Sequence, residues 1–381
     1  MICASKLAVS YPYIAQLRIT DFRSYIRRDL SFDGRPAALF GPNGAGKTNL
    51  LEAISLLSPG RGLRRAKLED LARKHGETSA AYWGVNATLS GADETKLAIG
   101  QVPDAPRRRT HRLDGKTATG TTIAQQIAVM WLTPAQDRLF TGPAGERRKF
   151  LDRLCLPGHP RHGQHTIRYE KARADRNRLL SDGIDDPFWF DALERDMANC
   201  GAQIAMARED TVATLMEQVA DRPETAFPKS TAIIEGEAET LFRGGADVHD
   251  VEAQITAWLA GDRSRDRRAG RTLRGVHRSD LQVFHAPKSM PAGDCSTGEQ
   301  KALLIGLILA QARTQVERNP ARPLALLLDE IAAHLDERRR AALAQELLSL
   351  PVHSLMTGTD AGLFEAFGDQ AQMIPISESG S

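Results

Sequence analysis

The chain has 381 residues, 41% of them hydrophobic and 26% charged, with a formal net charge of +2. That balance describes a soluble globular protein with a substantial core, and a global field too weak to attract nucleic acid except through local clusters. The four cysteines, Cys3, Cys155, Cys200 and Cys295, include no C-x-x-C pair, which argues against a zinc site or disulfide framework; apolar runs such as "ALLIGLILA" reach only half a membrane span.

Residues 1–12 read as an extra leader without a clear signal-peptide core. From Tyr13 the chain alternates as strands do, through "YIAQLRITDF" and "LSFDG", to the short apolar "PAALF". "GPNGAGKTNLLEAISLL" follows and fills the pattern G-x-x-x-x-G-K-[ST] with Gly41, Gly46, Lys47 and Thr48. A buried strand before the loop and a helix after it, marked by Leu50, Leu51, Ile54 and Leu57, give the motif its required context. Such a loop, Gly41, Pro42, Asn43, Gly44, Ala45 and Gly46, turns backbone N–H groups toward phosphate. Lys47 can then reach the terminal phosphates, and the Thr48 hydroxyl can ligate Mg²⁺. ATP and Mg²⁺ are the implied cofactors.

Antiparallel strands are predicted in "YWGVNATLSG", "TKLAIGQV" and "RTHRLDGKTA", and a further strand in "AVMWLT". From about 143 to 221 the pattern is helical, with Trp189, Leu193, Met197, Cys200, Ile204, Val212, Leu215 and Val219 on roughly one packing stripe. Sustained heptads are missing, which excludes a long coiled-coil arm, and there are no internal repeats. Residues 222–275 carry little regular signal. Strand and helix return from 280 to about 377, and the tail 378–381 reads as disordered.

The second α/β block carries its own chemistry. In "PLALLLDEIAAHLDERRR" five apolar residues end on Asp329 and Glu330, placing both at the carboxyl edge of a buried strand, where ligands bind in open parallel sheets. Asp329 suits Mg²⁺, and Glu330 suits a base that orients water. Asp336 follows on the turn into the next helix. Upstream, Ser296, Thr297 and Gly298 form a small polar turn at the start of an apolar helix, an anion-binding arrangement. The order of phosphate loop, serine turn, Asp-Glu strand and "LD" turn is that of ABC-type ATPases. In that class the serine turn of one head closes on the nucleotide of another. The predicted fold is therefore α/β, an ABC-type P-loop ATPase head with a mixed sheet and helices, built from residues 13–133 plus 276–377. A mainly helical lobe, 134–275, is inserted.

Narrower motifs point further. "LRITDFRSY", "LTPAQDRLFTGPAGERRKFLDRL", "YEKARADRNRLL", "TLRGVHRSDL" and "STGEQK" together resemble the elements of the RecF family, ATPases related to SMC heads. The resemblance implies a cytoplasmic protein without a membrane partner that dimerises on ATP and binds duplex DNA and gapped junctions. It acts with RecO and RecR to load RecA, and slow hydrolysis releases it. It also implies that Ser296, Gly298 and Glu299 act in trans, that Arg23 touches nucleotide or closes a strand end, and that Gln136 senses the metal. Gln136 stands where the family usually has an acidic residue, and Val276 replaces a proline. No histidine occupies the switch position of "SLMTGTD", which leaves Thr359 or a neighbour for that role. An SMC-like head in chromosome maintenance or nuclease-associated DNA metabolism is the alternative. Arginine-rich stretches at 107–112, 161–178 and 262–278 are candidates for phosphate contacts, and the scarcity of aromatics argues against base stacking.

Overall fold

The computed structural model describes residues 9–377 except 76–77, 92, 104–107, 224 and 333–334. Most of the leader and all of the tail therefore lie outside the described residues. The chain divides into two compact units: residues 1–137, 223–228 and 297–381 form the first, and 138–222 and 229–296 the second.

In chain order the first unit opens with β1 (Tyr13–Phe22), β2 (Tyr25–Ser31), β3 (Ala37–Phe40) and α1 (Lys47–Ser55). It continues through the short pair β4 (Lys74–His75) and β5 (Thr78–Ser79), then β6 (Trp83–Ser90), β7 (Thr95–Gln101), β8 (Thr110–Leu113), β9 (Lys116–Thr117), α2 (Gly120–Gln126) and β10 (Ala128–Leu132). The second unit supplies α3 (Ala144–Cys155), α4 (His162–Ser181), α5 (Pro187–Asp221), β11 (Ser230–Glu235), α6 (Glu237–Arg243), α7 (Val248–Gly261), α8 (Arg263–Ala269), β12 (Asp280–His285) and β13 (Met290–Pro291). The chain then re-enters the first unit as α9 (Thr297–Arg318), β14 (Leu324–Leu328), α10 (Glu337–Ser349), β15 (His353–Gly358) and β16 (Gln372–Pro375). Among the described residues no helix is long and apolar enough to cross a membrane.

The first unit holds two sheets. One is antiparallel, in the order β2-β1-β6-β7-β8-β9, and its inward residues (Leu17, Ile19, Val85, Ala87, Leu97, Ile99) alternate with polar outward ones. The other runs β10-β14-β15-β3-β16, every neighbouring pair parallel. β3, β10 and β14 are continuous apolar runs, because strands covered on both faces have no solvent side; β15 is equally buried but carries His353, Ser354 and Thr357, and the edge strand β16 is half-exposed. A shared core joins the sheets through Leu50, Leu51 and Ile54 of α1 and Ile123 of α2. The order matters for the site: β15 lies between β3, which feeds the phosphate loop, and β14, which ends on Asp329.

In the second unit α4 and α5 pack on each other, with α7 against α5 around Tyr169, Met197, Cys200, Ile204, Val251 and Ile255. The expected stripe on α5 is buried at Met197, Cys200, Ile204, Val212, Leu215 and Val219, but Trp189 is 56% exposed. Phe190, one position on, takes the inward direction in that first turn and is fully buried. Residues 222–275, which show little regularity as sequence, form β11 and three helices. β12 pairs antiparallel with β11, which draws residues 276–296 into this unit rather than the ATPase lobe to which the sequence assigned them. Two arginines are internal here. Arg176 bonds Glu194, Asp266, Thr272 and the Leu259 carbonyl; Arg208 bonds Asp152, Glu239 and the Val276 carbonyl.

His353, the first residue of β15, is fully buried, with both ring nitrogens lacking a hydrogen-bond partner. Its ring lies edge-on to Phe32 at 5.0 Å and to Tyr13 at 5.9 Å. Burial drives its pKa down to about 3, with Asp33 acting weakly the other way. In the unfolded chain this imidazole takes its proton near pH 6.5, so below that pH the unfolded state binds more protons and stability is lost as pH falls toward the folded value. We expect His353→Phe to remove that loss. Urea unfolding at pH 7 and pH 5 should show the wild type losing about 2 kcal/mol more than the variant over that interval; equal losses would contradict it.

Candidate nucleotide site

The site begins where β3 ends. Gly41 donates its N–H to the Gly358 carbonyl at the end of β15, and a Cβ on Gly41 would lie 2.0 Å from the Ile376 carbonyl oxygen, so only glycine fits. The loop closes on Gly46, whose left-handed backbone (φ 95°) starts α1 without a side-chain cap. Tyr25 supports it from β2, its hydroxyl donating to the Ala45 carbonyl at 3.3 Å. Pro42, Asn43 and Gly44 are exposed. Lys47 is buried, and its Nζ donates to the carbonyls of Gly41 (2.7 Å) and Pro42 (2.8 Å), which holds the ammonium inside the curve of the loop.

Across the sheet, β14 delivers Asp329 and Glu330 just beyond Leu328. The Asp329 N–H donates to the Leu132 carbonyl at the end of β10, extending the ladder by one residue and fixing the carboxylate. Asp329 is 6% exposed, and its Oδ1 accepts from Thr48 Oγ1 at 2.9 Å. The two residues are 281 positions apart, and β3 and β14 are separated by β15, roughly 10 Å at normal strand spacing. Thr48 bridges that gap because α1 starts above the sheet's carboxyl edge.

The intervening strand contributes a residue that sequence reading missed. Thr357, buried in β15, donates its hydroxyl to Asp329 Oδ1 at 2.9 Å and accepts from the Glu330 N–H at 2.8 Å. Glu330 itself sits in the left-handed region (φ 51°), uncommon for a residue with a side chain. The Thr357 hydroxyl thus orients both acidic residues. Thr359, which the sequence offered together with its neighbours for the role of the switch histidine, donates to Asp360. The strand of Thr357, "HSLMTG", also buries His353 and Ser354, so nothing local sets this threonine apart.

Other predicted residues stand apart from this group. Arg23 (φ 53°) donates from Nε and Nη2 to both Glu52 carboxylate oxygens and from Nη1 to the Asp70 carbonyl, so its guanidinium neutralises the fully buried Glu52. Gln136 is buried in a turn after β10, where its Oε1 accepts from the Thr133 N–H and hydroxyl while its amide nitrogen has no partner. The oxygen a metal would need is therefore engaged. Ser296 is exposed directly before α9, and Glu299 is half-buried in its first turn. A Cβ on Gly298 would lie 3.1 Å from Arg339 Nη1, and Asp336 accepts from the Arg339 N–H as the cap of α10. Gly298 and Asp336 thus meet around Arg339.

The donor set at Thr48 and Asp329 is hard oxygen, one hydroxyl and one carboxylate already in contact. That fits Mg²⁺, which binds few protein groups and completes its shell with water and phosphate oxygens. Among the described residues no cluster of three or more acidic, histidine or cysteine ligands could hold a metal. Part of the arginine in two of these stretches is engaged in ion pairs: Arg168 pairs with Asp196, Arg173 with Glu170, Arg263 with Glu194 and Asp191, Arg267 with Asp185, and Arg274 with Glu237.

We expect Thr357→Val, nearly isosteric, to leave the Glu330 N–H without its acceptor and to cost about 1–3 kcal/mol. Thr357→Ser should stay close to wild type. Denaturant melts of both variants check this, and a serine variant as weak as the valine one would refute it.

The family model for the RecF/RecN/SMC N-terminal domain matches residues 13–367. The chain is 48% identical over 370 residues to the DNA replication and repair protein RecF of Mesorhizobium japonicum, covering 96% of each chain. It is 43% identical over 375 residues to that of Caulobacter vibrioides, covering 96% of this chain and 97% of that one. Among solved structures it is similar to the recombination mediator protein RecF-ATPrS in the RecFOR pathway, with a TM-score of 0.82, 21% identity, and 97% and 98% of the two chains covered. It also resembles the Smc head domain with an extended coiled coil bound to the C-terminal domain of ScpA from Pyrococcus furiosus, with a TM-score of 0.52, 18% identity, and 96% and 94% covered. These likenesses bear out the α/β, ABC-type head architecture. On full-length similarity at this level, the chain belongs to the RecF family of RecF/RecN/SMC proteins.

Proposed function

We propose that this protein is an ATP-dependent DNA-binding factor of recombinational repair, whose slow ATP hydrolysis acts as a switch. The observation that carries the reading is the contact between the Thr48 hydroxyl and the Asp329 carboxylate at 2.9 Å, which joins a phosphate loop to an acidic strand end. Thr48 and Asp329 hold Mg²⁺, which neutralises charge on the bound triphosphate. Lys47, whose ammonium already seeks oxygens along the loop, binds the terminal phosphates, and the N–H groups of residues 41–46 cradle them. Glu330, set by its left-handed backbone and by Thr357, orients the attacking water and accepts its proton.

Ser296, Gly298 and Glu299, with Asp336, belong to the face that meets a second copy's nucleotide. ATP is then part of the dimer interface, and a ligand bound only by the closed pair shifts the population toward it. Arg23 supports the loop by neutralising Glu52 of α1, and Gln136 can reach a metal only by releasing Thr133. The similarity to RecF proteins described as acting in DNA replication and repair, and in the RecFOR pathway, supports a role with RecO and RecR in loading RecA at gapped DNA. A cytoplasmic location goes with that role.

Lys47→Ala should lose binding of a fluorescent ATP analogue and the ATP-dependent dimer seen by analytical ultracentrifugation. Glu330→Gln should bind ATP and dimerise, but release phosphate at least about a hundredfold more slowly. Normal dimerisation of the lysine variant on ATP would overturn the scheme.

A further inference from the structure

Three sequence elements that the nucleotide site leaves unused converge in the second unit. "GERRKFLD" lies on α3, "YEKARADRNRLL" on α4, and "GVHRSDL" on the turn leading into β12. The turn is tightly specified. Gly275 has φ 131°, and a Cβ there would fall 2.5 Å from the Tyr169 hydroxyl, so no side chain fits. His277 Nε2 lies 3.2 Å from the Thr272 carbonyl, which fixes the proton on that nitrogen; Nδ1 therefore accepts from the Tyr169 hydroxyl at 2.8 Å. The Val276 carbonyl accepts from buried Arg208, and the Ser279 carbonyl accepts from Arg148 Nη1 at 2.8 Å.

This scaffold gathers cations. Burial first, then Arg173, keep the His277 ring neutral, with its pKa lowered to about 4; its bond to the Thr272 carbonyl acts the other way, and Arg278 and Arg148 add smaller downward pushes. Arg148 is likewise pushed down by burial and then by Arg208, while Asp280 and Asp152 act the other way and Arg278 adds a smaller downward push. The nearby acids have other partners: Asp152 binds Arg208 and His162, Asp280 binds Arg147 in bidentate fashion, Glu239 binds Arg208 and Ser279, and Glu170 binds Arg173. Two further acids line the cavity beside Arg278: Glu237, which binds Arg274, and Glu235, which accepts from the Gln282 amide. Among the described residues Arg278 is exposed and makes no ion pair, and the hydrogen bond of Arg148 is to a backbone carbonyl. Two guanidinium groups thus stand at one turn without a carboxylate of their own, held by a network that only a positioned turn requires. Like charges brought together raise each other's free energy, and a bound anion relieves it. Arginine, planar and forked, suits phosphate.

We propose that Arg148 and Arg278, steered by the Gly275–Ser279 turn and flanked by Arg173, form a site for backbone phosphates of duplex nucleic acid. This rests on the reading that the protein binds duplex. The site takes phosphodiester oxygens without reading bases, so it contributes affinity and salt dependence but no sequence preference.

The test is fluorescence anisotropy of a labelled 30-base-pair duplex with the full chain plus ATP, titrated at several salt concentrations. Arg148→Ala with Arg278→Ala should weaken binding by at least about tenfold and lower the salt slope by about 2, near one for each phosphate no longer neutralised. Arg148→Lys with Arg278→Lys should recover most of the slope. Fluorescent-ATP binding and ATP-dependent dimerisation should stay at wild-type levels in both double variants. Arg278→Ala alone removes no carboxylate partner, so its thermal melt should match wild type and its slope should fall by about 1. Unchanged affinity and slope in the alanine pair, with the wild type binding duplex, would overturn this site and leave the proposed function standing. Failure of the wild type to bind duplex would sink both. Polyglutamate displacing duplex as well as unlabelled duplex does would mark a general carboxylate site and also overturn the proposal.

Discussion

One carboxylate oxygen ties three segments of this chain together. Asp329 Oδ1 accepts from Thr48, at the start of the helix after β3, and from Thr357, near the end of β15. The strand order of the parallel sheet makes this possible, because β15 runs between β3 and β14 and so carries its threonine into the gap. Everything catalytic in the proposal follows from that constraint. The carboxylate that follows β14 faces a phosphate loop two strands away, and the hydroxyl between them sets the direction of both Asp329 and Glu330. The left-handed backbone at Glu330 is held by the same hydroxyl, which accepts its N–H.

The second unit solves a different problem by similar means. Arg176 and Arg208 are nearly or wholly inaccessible, and each binds two carboxylates and a backbone carbonyl. Buried ion pairs add little net stability, because desolvation offsets attraction, but removing one partner leaves a charge stranded and is strongly destabilising. Arg176 pins α4 to α5 and α8, and Arg208 pins α5 to α3, α6 and the residue before His277. These arginines fix where the helices sit, with half-buried Arg148 of α3 bonded to the turn at the Ser279 carbonyl and Arg278 exposed on it.

Much of the first unit was legible in the sequence. The phosphate loop, its strand and its helix are local, and the pattern of glycines, lysine and threonine declares them. "LALLL" before Asp329 reads as a buried strand because both faces of a parallel sheet exclude water. Thr357 was not legible, since its meaning depends on a carboxylate 28 residues away and on a strand order that spacing does not reveal. Arg176 and Arg208 look like surface charge in any composition count, and Arg208's partners Asp152, Glu239 and the Val276 carbonyl come from three separate segments. β11 and the helices after it were missed because the burial of this small unit is shared among short elements. Ile234 is the buried apolar residue of β11 and Ala238 that of α6, while Val251, Ile255 and Leu259 do recur four apart on α7, a helical period that the sequence reading passed over. Trp189 shows the reverse error: an aromatic at the right spacing that the end of the helix leaves in solvent.

The neighbours of β3 have a bearing on how this molecule is made. The strand feeding the phosphate loop pairs with β15 on one side and β16 on the other, and the Ile376 N–H donates back to Phe40 at 2.7 Å. A growing polypeptide therefore presents its glycine loop to the cell long before either flanking strand has left the ribosome. Until then that segment has neither of its strand partners, and a frameshift or nonsense codon ahead of Gln372 removes one of them for good.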